Sequence, residues 1–264
     1  MTVIDYDSIA EIYDLYANAD YDIAFFVSEV QKVKGPVLEL MAGTGRVSVP
    51  LLKAGAKLTC VDGSQGMLDV LSRKLTSGGL HADVRLADVR HLDLPPSFEL
   101  AVLPFQAFME LVSEDDRRKT LGAVAAALLP GGRFICTLHN PELRRASVDG
   151  VVRAVGAYPV DDGVLVVSGF EQGGDPVVRR HQFFEHFGQD GRLIWKQLLA
   201  MEFTLVGRAE FEGMARSAGF RVVSLYGSYE RAEFDPATSA YMIWVLKQDR
   251  RTNRDTRRGS SKRR

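Results

Sequence analysis

The sequence predicts an α/β fold: a doubly wound seven-stranded sheet, mostly parallel with the last strand antiparallel, carrying an antiparallel β insertion. Three observations lead there. Short apolar runs alternate with helical patterns over residues 37–138, the rhythm of strand–helix–strand units with short connections. Val37-Leu38-Glu39-Leu40-Met41 runs into Ala42-Gly43-Thr44-Gly45, a small-residue turn that opens a helix. Between 151 and 203 the spacing shifts to strand-like runs separated by Gly/Asp turns, the signature of hairpins.

In order, Ile9, Ile12, Tyr13 and Tyr16 recur at helical spacing, and Phe25, Val27 and Val30 continue it after Asn18-Ala19-Asp20, so 5–33 reads as helical. Lys34-Gly35-Pro36 breaks the helix before the first strand, 37–41. A helix at 45–54, a strand 57–61 ending at Asp62, and a helix 67–75 with Ser64 as N-cap follow. A third strand, 83–87, ends at Asp88, and a fourth, 98–103, is stopped by Pro104. Helix 115–129 is closed by Pro130-Gly131-Gly132, and the fifth strand is 133–138. The insertion is expected as strands 151–155, 164–170, 177–187 and 193–203; a helix, 208–218, and strands 220–226 and 241–247 complete the core.

With 264 residues, 46% hydrophobic and 25% charged, the chain suits one large α/β domain with an insertion. No apolar run reaches the roughly 20 residues of a membrane span. The acidic start, Met1 to Asp7, lacks the basic and apolar regions of a signal peptide, so a cytoplasmic protein with no membrane association is expected. Cys60 and Cys136 fall inside strands and read as buried thiols. Nine Lys/Arg against two Asp between Lys247 and Arg264 give a local balance of +7, leaving about −8 on the rest of the chain. An acidic body argues against a nucleic-acid partner, and the basic end reads as a disordered tail.

The glycine turn is one part of a candidate nucleotide site. Gly43 and Gly45 let the backbone approach a ligand, but Ser48 stands where a dinucleotide fingerprint wants a third glycine. Asp62, 17 positions after Gly45, stands where a carboxylate accepts ribose hydroxyls. Asp88 stands where one accepts from an adenine amino group, with Val89 beside the ring. In Arg179-Arg180-His181-Gln182-Phe183-Phe184-Glu185-His186-Phe187 the two histidines face opposite sides of a strand, so no metal site is expected.

Glu39-Leu40-Met41-Ala42-Gly43-Thr44-Gly45-Arg46, Val61-Asp62-Gly63-Ser64 with Met67-Leu68, Ala87-Asp88-Val89, and Leu128 to Phe134 resemble the successive motifs of class I S-adenosylmethionine-dependent methyltransferases. The resemblance is strong over about 6–140 and continues to 247 as architecture, where Ala218-Gly219-Phe220 looks like the family's sheet end. It implies a Rossmann-like core, a small-molecule acceptor (or a peptide terminus), S-adenosyl-L-methionine as cofactor and S-adenosyl-L-homocysteine as product. It also implies an N-terminal helical cap (1–36), a cofactor-binding core (37–140), a lid (141–206), C-terminal core strands (207–247) and the tail (248–264).

The same resemblance assigns roles. Glu39, Ala42, Gly43 and Gly45 would hold the methionine portion, and Asp62 with Gly63 the ribose side. Met67, Asp88 and Val89 would surround adenine, and Leu103 with Pro104 would lie beside the sulfonium. Met41 departs from the pattern, which has a small residue there. For the acceptor, the rim Pro104-Phe105-Gln106-Ala107-Phe108-Met109-Glu110 offers Phe105 and Phe108, the cap offers Tyr6 and Tyr13, and the rim after strand six offers Tyr226. His139, ending strand five, is the general-base candidate. Direct SN2 transfer at nitrogen, oxygen or carbon is expected, since positioning and desolvation suffice for it. A homodimer stays open. The alternatives are a non-catalytic cofactor-binding protein, an NAD(P)-dependent oxidoreductase, which Ser48 disfavours, and a nucleic-acid methyltransferase using the tail.

Overall fold

The structure, a computed structural model, describes residues 4–173 and 175–249. The expected basic tail therefore lies outside the described residues from Arg250 onward, while Gln248 is the last residue of the final strand. The main sheet is built from β1 (Val37–Leu40), β2 (Leu58–Asp62), β3 (Asp83–Leu86), β4 (Phe98–Leu103), β5 (Leu128–His139), β10 (Phe220–Tyr226) and β11 (Tyr241–Gln248). Their order is β10-β11-β5-β4-β1-β2-β3. The five strands β1 to β5 run parallel, and β11 pairs antiparallel with both β5 and β10. The strand order reverses between β1 and β4, so a crevice opens over their carboxyl ends, where open α/β sheets bind ligands.

Helices α3 (Ser48–Lys53), α4 (Gln65–Ser77), α5 (Glu114–Ala127) and α7 (Arg208–Ser217) cover the sheet. Ser64 caps α4 by accepting from the Met67 amide, and Ser113 caps α5 by accepting from Asp116. One expectation fails at α5: the helix ends at Ala127, and β5 begins at Leu128 rather than at 133. The Pro130-Gly131-Gly132 stop is absorbed as a register break, where Phe98 faces Leu128 but Leu100 faces Arg133. Both cysteines are buried and free. Apolar clusters on the two faces of the sheet, around Trp244 and Phe134 on one side and Phe26 and Leu71 on the other, hold the layers together.

The N-terminal helical region is shorter than expected. It consists of a 3-10 turn (Asp7–Ile12), a single turn α1 (Tyr13–Tyr16) and α2 (Ile23–Val30). Polar side chains fasten it to the core. Asp7 Oδ1 accepts from Ser64 Oγ at 2.6 Å and from the Gly66 amide at 2.7 Å. Thr44 Oγ1 donates to Asp14 Oδ1 at 2.6 Å, and Arg73 pairs with Glu11. Asp22, wholly buried, receives both ends of the Arg46 guanidinium at 2.6 and 2.7 Å.

Residues 153–204 form a second, four-stranded antiparallel sheet in the order β6 (Arg153–Val160), β7 (Gly163–Gly173), β8 (Val177–Gly188) and β9 (Leu193–Thr204). Its first strand starts two residues later than expected and runs to 160. The inner face puts Leu165, Val167, Phe184, Leu199 and Met201 against Ile9, Ala10 and Met67 of the cap and α4. His181 and His186 do fall on opposite faces, His181 stacking on Phe170 and His186 against Trp195.

Candidate active site

The turn after β1 owes its shape to its glycines. Gly43 and Gly45 have φ of +55° and +86°, and a Cβ on Gly45 would stand 2.4 Å from Leu71 Cδ1 of α4. At Gly43 no heavy atom lies within 4 Å of where a Cβ would be, so the backbone there faces open space. Met41 enters the turn at φ 54°, half-buried and packed on the main core, which is how a large side chain is accommodated there. The Ala42 amide donates to the Val61 carbonyl, tying the turn to β2.

Two carboxyl groups flank this turn. Glu39 is 1% exposed, and its Oε2 has no partner among the described residues. Burial pushes its pKa up to about 8. Asp62 accepts from the Gly43 amide at 2.7 Å and the Ser64 amide at 2.9 Å, while burial raises its pKa. Each carboxylate oxygen has two lone pairs, so acceptor capacity remains on Asp62. An open backbone cradle, an orphaned buried carboxyl oxygen and a carboxylate fixed at a strand end suit a ligand bearing an ammonium and vicinal hydroxyls. S-adenosylmethionine is such a ligand, and the residues present fit it.

Other expected positions differ in detail. Asp88 lies beyond the end of β3 and caps a 3-10 turn (Val89–His91). Its carboxylate is gripped by Arg90, whose amide and Nε donate at 2.9 and 2.8 Å, and this pairing holds its pKa down to about 2. Met67, Val89 and Leu103 are buried, and Gly63 and Pro104 close the ends of β2 and β4. Phe105 and Gln106 follow in left-handed backbone, φ 57° and 60°, with the Arg46 guanidinium 4.3 Å above the Phe105 ring.

A cavity of about 510 Å³ lies between the cap, this rim and the lid sheet. Tyr6, Tyr13, Tyr16 and Phe105 line it together with Glu110, Arg144, Glu171, Arg180 and Gln182. Tyr6 donates to Glu110 Oε1 at 2.8 Å, and the rings of Tyr6, Tyr13 and Tyr16 meet edge to face in a row. Burial lifts the Glu110 carboxyl to about 7.

Three expected acceptor residues stand elsewhere. Phe108 is fully buried against Phe211, and Tyr226 packs on Phe25, so neither lines the cavity. His139 stacks on Tyr241 outside the lining, and burial with the nearby Arg144 and Arg180 charges lowers its pKa to about 4. Glu110, a rim residue to which the sequence alone assigns no role, does line the cavity. A lone acid in the apolar stretch from Leu103 to Leu111 was the available signal. For Arg144, Glu171 and Arg180 no local signal exists, because three separate elements bring them together.

Residues 37–132 match a family profile described as a methyltransferase domain. A cypemycin N-terminal methyltransferase from Streptomyces is 29% identical over 253 residues, covering 92% of this chain and 97% of that protein. A glycine/sarcosine N-methyltransferase from Halorhodospira halochloris is 26% identical over 253 residues, covering 93% and 87%. The solved CcbJ methyltransferase of Streptomyces caelestis aligns with a TM-score of 0.77 at 25% identity, over 93% of this chain and 98% of that one. Motifs, strand order and relatives agree: residues 37–132 are a methyltransferase domain, the chain resembles the class I S-adenosylmethionine-dependent methyltransferases over nearly its whole length, and it is an enzyme that uses this cofactor.

Proposed function

We propose that this enzyme methylates the amine nitrogen of a small molecule or peptide terminus bound in the cavity beside Glu110. One observation carries the reading: a carboxyl group, oriented by the Tyr6 hydroxyl, opens onto a cavity between the N-terminal cap, the rim after β4 and the antiparallel sheet. One relative is named a glycine/sarcosine N-methyltransferase and another an N-terminal methyltransferase, which supports nitrogen over oxygen or carbon.

S-adenosylmethionine supplies a methyl group on a positively charged sulfur, and direct SN2 displacement forms the N–C bond as the C–S bond breaks, its electron pair staying on sulfur. An amine reaches the site protonated at neutral pH and must lose a proton before its lone pair can attack. Glu110 receives that proton, and a carboxyl with a pKa of about 7 is well matched to the exchange. Tyr6 keeps the carboxylate pointed at the cavity, while Tyr13, Tyr16 and Phe105 supply aromatic wall beside it. Glu39, the Ala42–Gly45 turn and Asp62 bind and orient the cofactor, and Met67, Val89 and Leu103 form its apolar bed.

The test is methyl transfer from labelled S-adenosylmethionine by the full-length protein. The acceptor panel holds amino acids, amino sugars, peptides with free amino termini, phenols and carboxylic acids. Label is expected on amines. Label confined to phenols or carboxylic acids would overturn the assignment of nitrogen.

A further inference from the structure

The lid side of the cavity carries charge that proton removal at Glu110 leaves unused. Glu171 of β7 is shared by two guanidiniums: Arg180 Nε of β8 donates to its Oε1 at 2.6 Å, and Arg144 of α6 (Pro141–Arg145) bonds its Oε2. One carboxylate cannot neutralise two guanidiniums, so this trio keeps a net positive charge facing the cavity. The third arginine in the lining, Arg153, is held bidentately by Asp149 at 2.8 and 2.6 Å. Both Arg144 and Arg180 lie over the Phe203 ring, at 5.3 and 5.5 Å, which backs the pair from one side. His139 beside them is held neutral and adds no charge. Arginine has five donors in a planar fork, and Glu171 and Ser147 use only some of those on this pair.

The cavity is therefore charged oppositely at two places: an acid on the rim, Glu110, and a surplus guanidinium on the lid. A simple cationic amine would satisfy the first and be repelled by the second. A molecule carrying both an ammonium and an anion satisfies both, and a planar carboxylate matches the guanidinium fork. We propose that the acceptor is an amine that also bears a carboxylate, an amino acid or close derivative, with Arg144 and Arg180 holding the carboxylate while Glu110 meets the nitrogen. This rests on the amine reading of the site and adds the second anchor.

The experiment compares matched acceptors with the full-length enzyme: amino acids, their amides, and the corresponding decarboxylated amines, each with labelled S-adenosylmethionine. Amino acids should exceed their amides and amines in kcat/KM by roughly 10- to 100-fold, the worth of a charge-assisted pair of hydrogen bonds. Arg180→Gln should erase most of that preference, chiefly through KM, and Arg180→Lys should restore part of it. The thermal shift induced by S-adenosylhomocysteine should persist in both variants. Should Arg180→Gln not fold, the wild-type comparison still decides, with Arg144→Gln as the second variant. Amides and amines methylated as well as the acids, or an unchanged preference in Arg180→Gln, would reduce the trio to a fastening between α6 and the lid and leave the amine reading standing. Methylation of none of the three sets, with amino sugars or peptide amino termini accepting label instead, would overturn the carboxylate anchor and leave the amine reading standing; label confined to phenols or carboxylic acids would overturn both.

Discussion

Glu110→Gln is the most informative single substitution. It keeps the shape of the side chain and its reach to the Tyr6 hydroxyl, which lies 2.8 Å away, but removes the charge and the proton-accepting oxygen. A hydrogen bond to a charged group contributes about 1.5–3 kcal/mol. At about 1.4 kcal/mol per decade, kcat/KM for the acceptor should fall roughly 10- to 150-fold. The pH dependence separates this role from simple packing. Wild-type kcat/KM should decline as pH drops through about 7, because protonated Glu110 can neither hold an ammonium nor take its proton. Measured at saturating S-adenosylmethionine, the profile reports the acceptor site rather than Glu39. In Glu110→Gln that acid limb should vanish, while S-adenosylhomocysteine still raises Tm. Stability gives an independent check. The folded pKa lies above the ordinary glutamate value of 4.5, so the folded state binds this proton more tightly than the unfolded chain. The contribution is therefore complete below 4.5 and lost as pH rises through about 7, and the variant should show a flatter Tm profile across that window. An acid limb that persists unchanged in Glu110→Gln would refute the reasoning.

Asp22→Ala leaves the Arg46 guanidinium without its buried partner and should cost about 3–5 kcal/mol in urea denaturation; a wild-type midpoint would show that the pair does not hold the cap. Gly45→Ala combines a φ of +86° with a clash on Leu71 and should abolish the S-adenosylhomocysteine shift in Tm. Gly55→Ala, at φ +90° but in open space, is its control and should keep that shift while losing about 1–2 kcal/mol of stability. Deleting residues 250–264 should leave methyl transfer at about its full rate, and loss of transfer would revive the nucleic-acid reading of the tail.

The turn and strand ends proposed to hold the cofactor were legible as structure because they are local. A turn that needs glycine, a strand that ends in an acid and a serine cap each declare themselves within a few residues, so Gly43, Asp62 and Ser64 could be placed from spacing alone. Boundaries were less legible where tertiary pairing overrides local signals: Pro130-Gly131-Gly132 reads as a stop, yet β4 and β11 draw Leu128 and its successors into the sheet. Asp88 shows another limit, since its capture by Arg90 two residues on depends on a 3-10 turn that the spacing does not announce. The acceptor half was least legible. Tyr6, Glu110, Arg144, Glu171 and Arg180 come from the cap, the rim, a short helix and two lid strands, and only the folded chain makes them neighbours. Conversely His139 and Phe108, well placed along the chain, point into packing rather than space.

The row of tyrosines in the cap has a consequence for the timing of a catalytic cycle. Tyr6, Tyr13 and Tyr16 are walls of the acceptor cavity, and the segment bearing them is pinned to the core beside the glycine turn through Asp7, Glu11, Asp14 and Asp22. With the cofactor seated on that turn beneath the cap, as proposed, exchanging spent for fresh cofactor requires unpinning the segment, and unpinning it dismantles the chamber that grips the acceptor. The two exchanges then exclude one another: the methyl donor enters first, its thioether product leaves last, and a lingering acceptor slows the departure. Among these pins the exposed ion pair of Glu11 with Arg73 is the one that added salt would loosen, while the buried Asp22–Arg46 pair would hold.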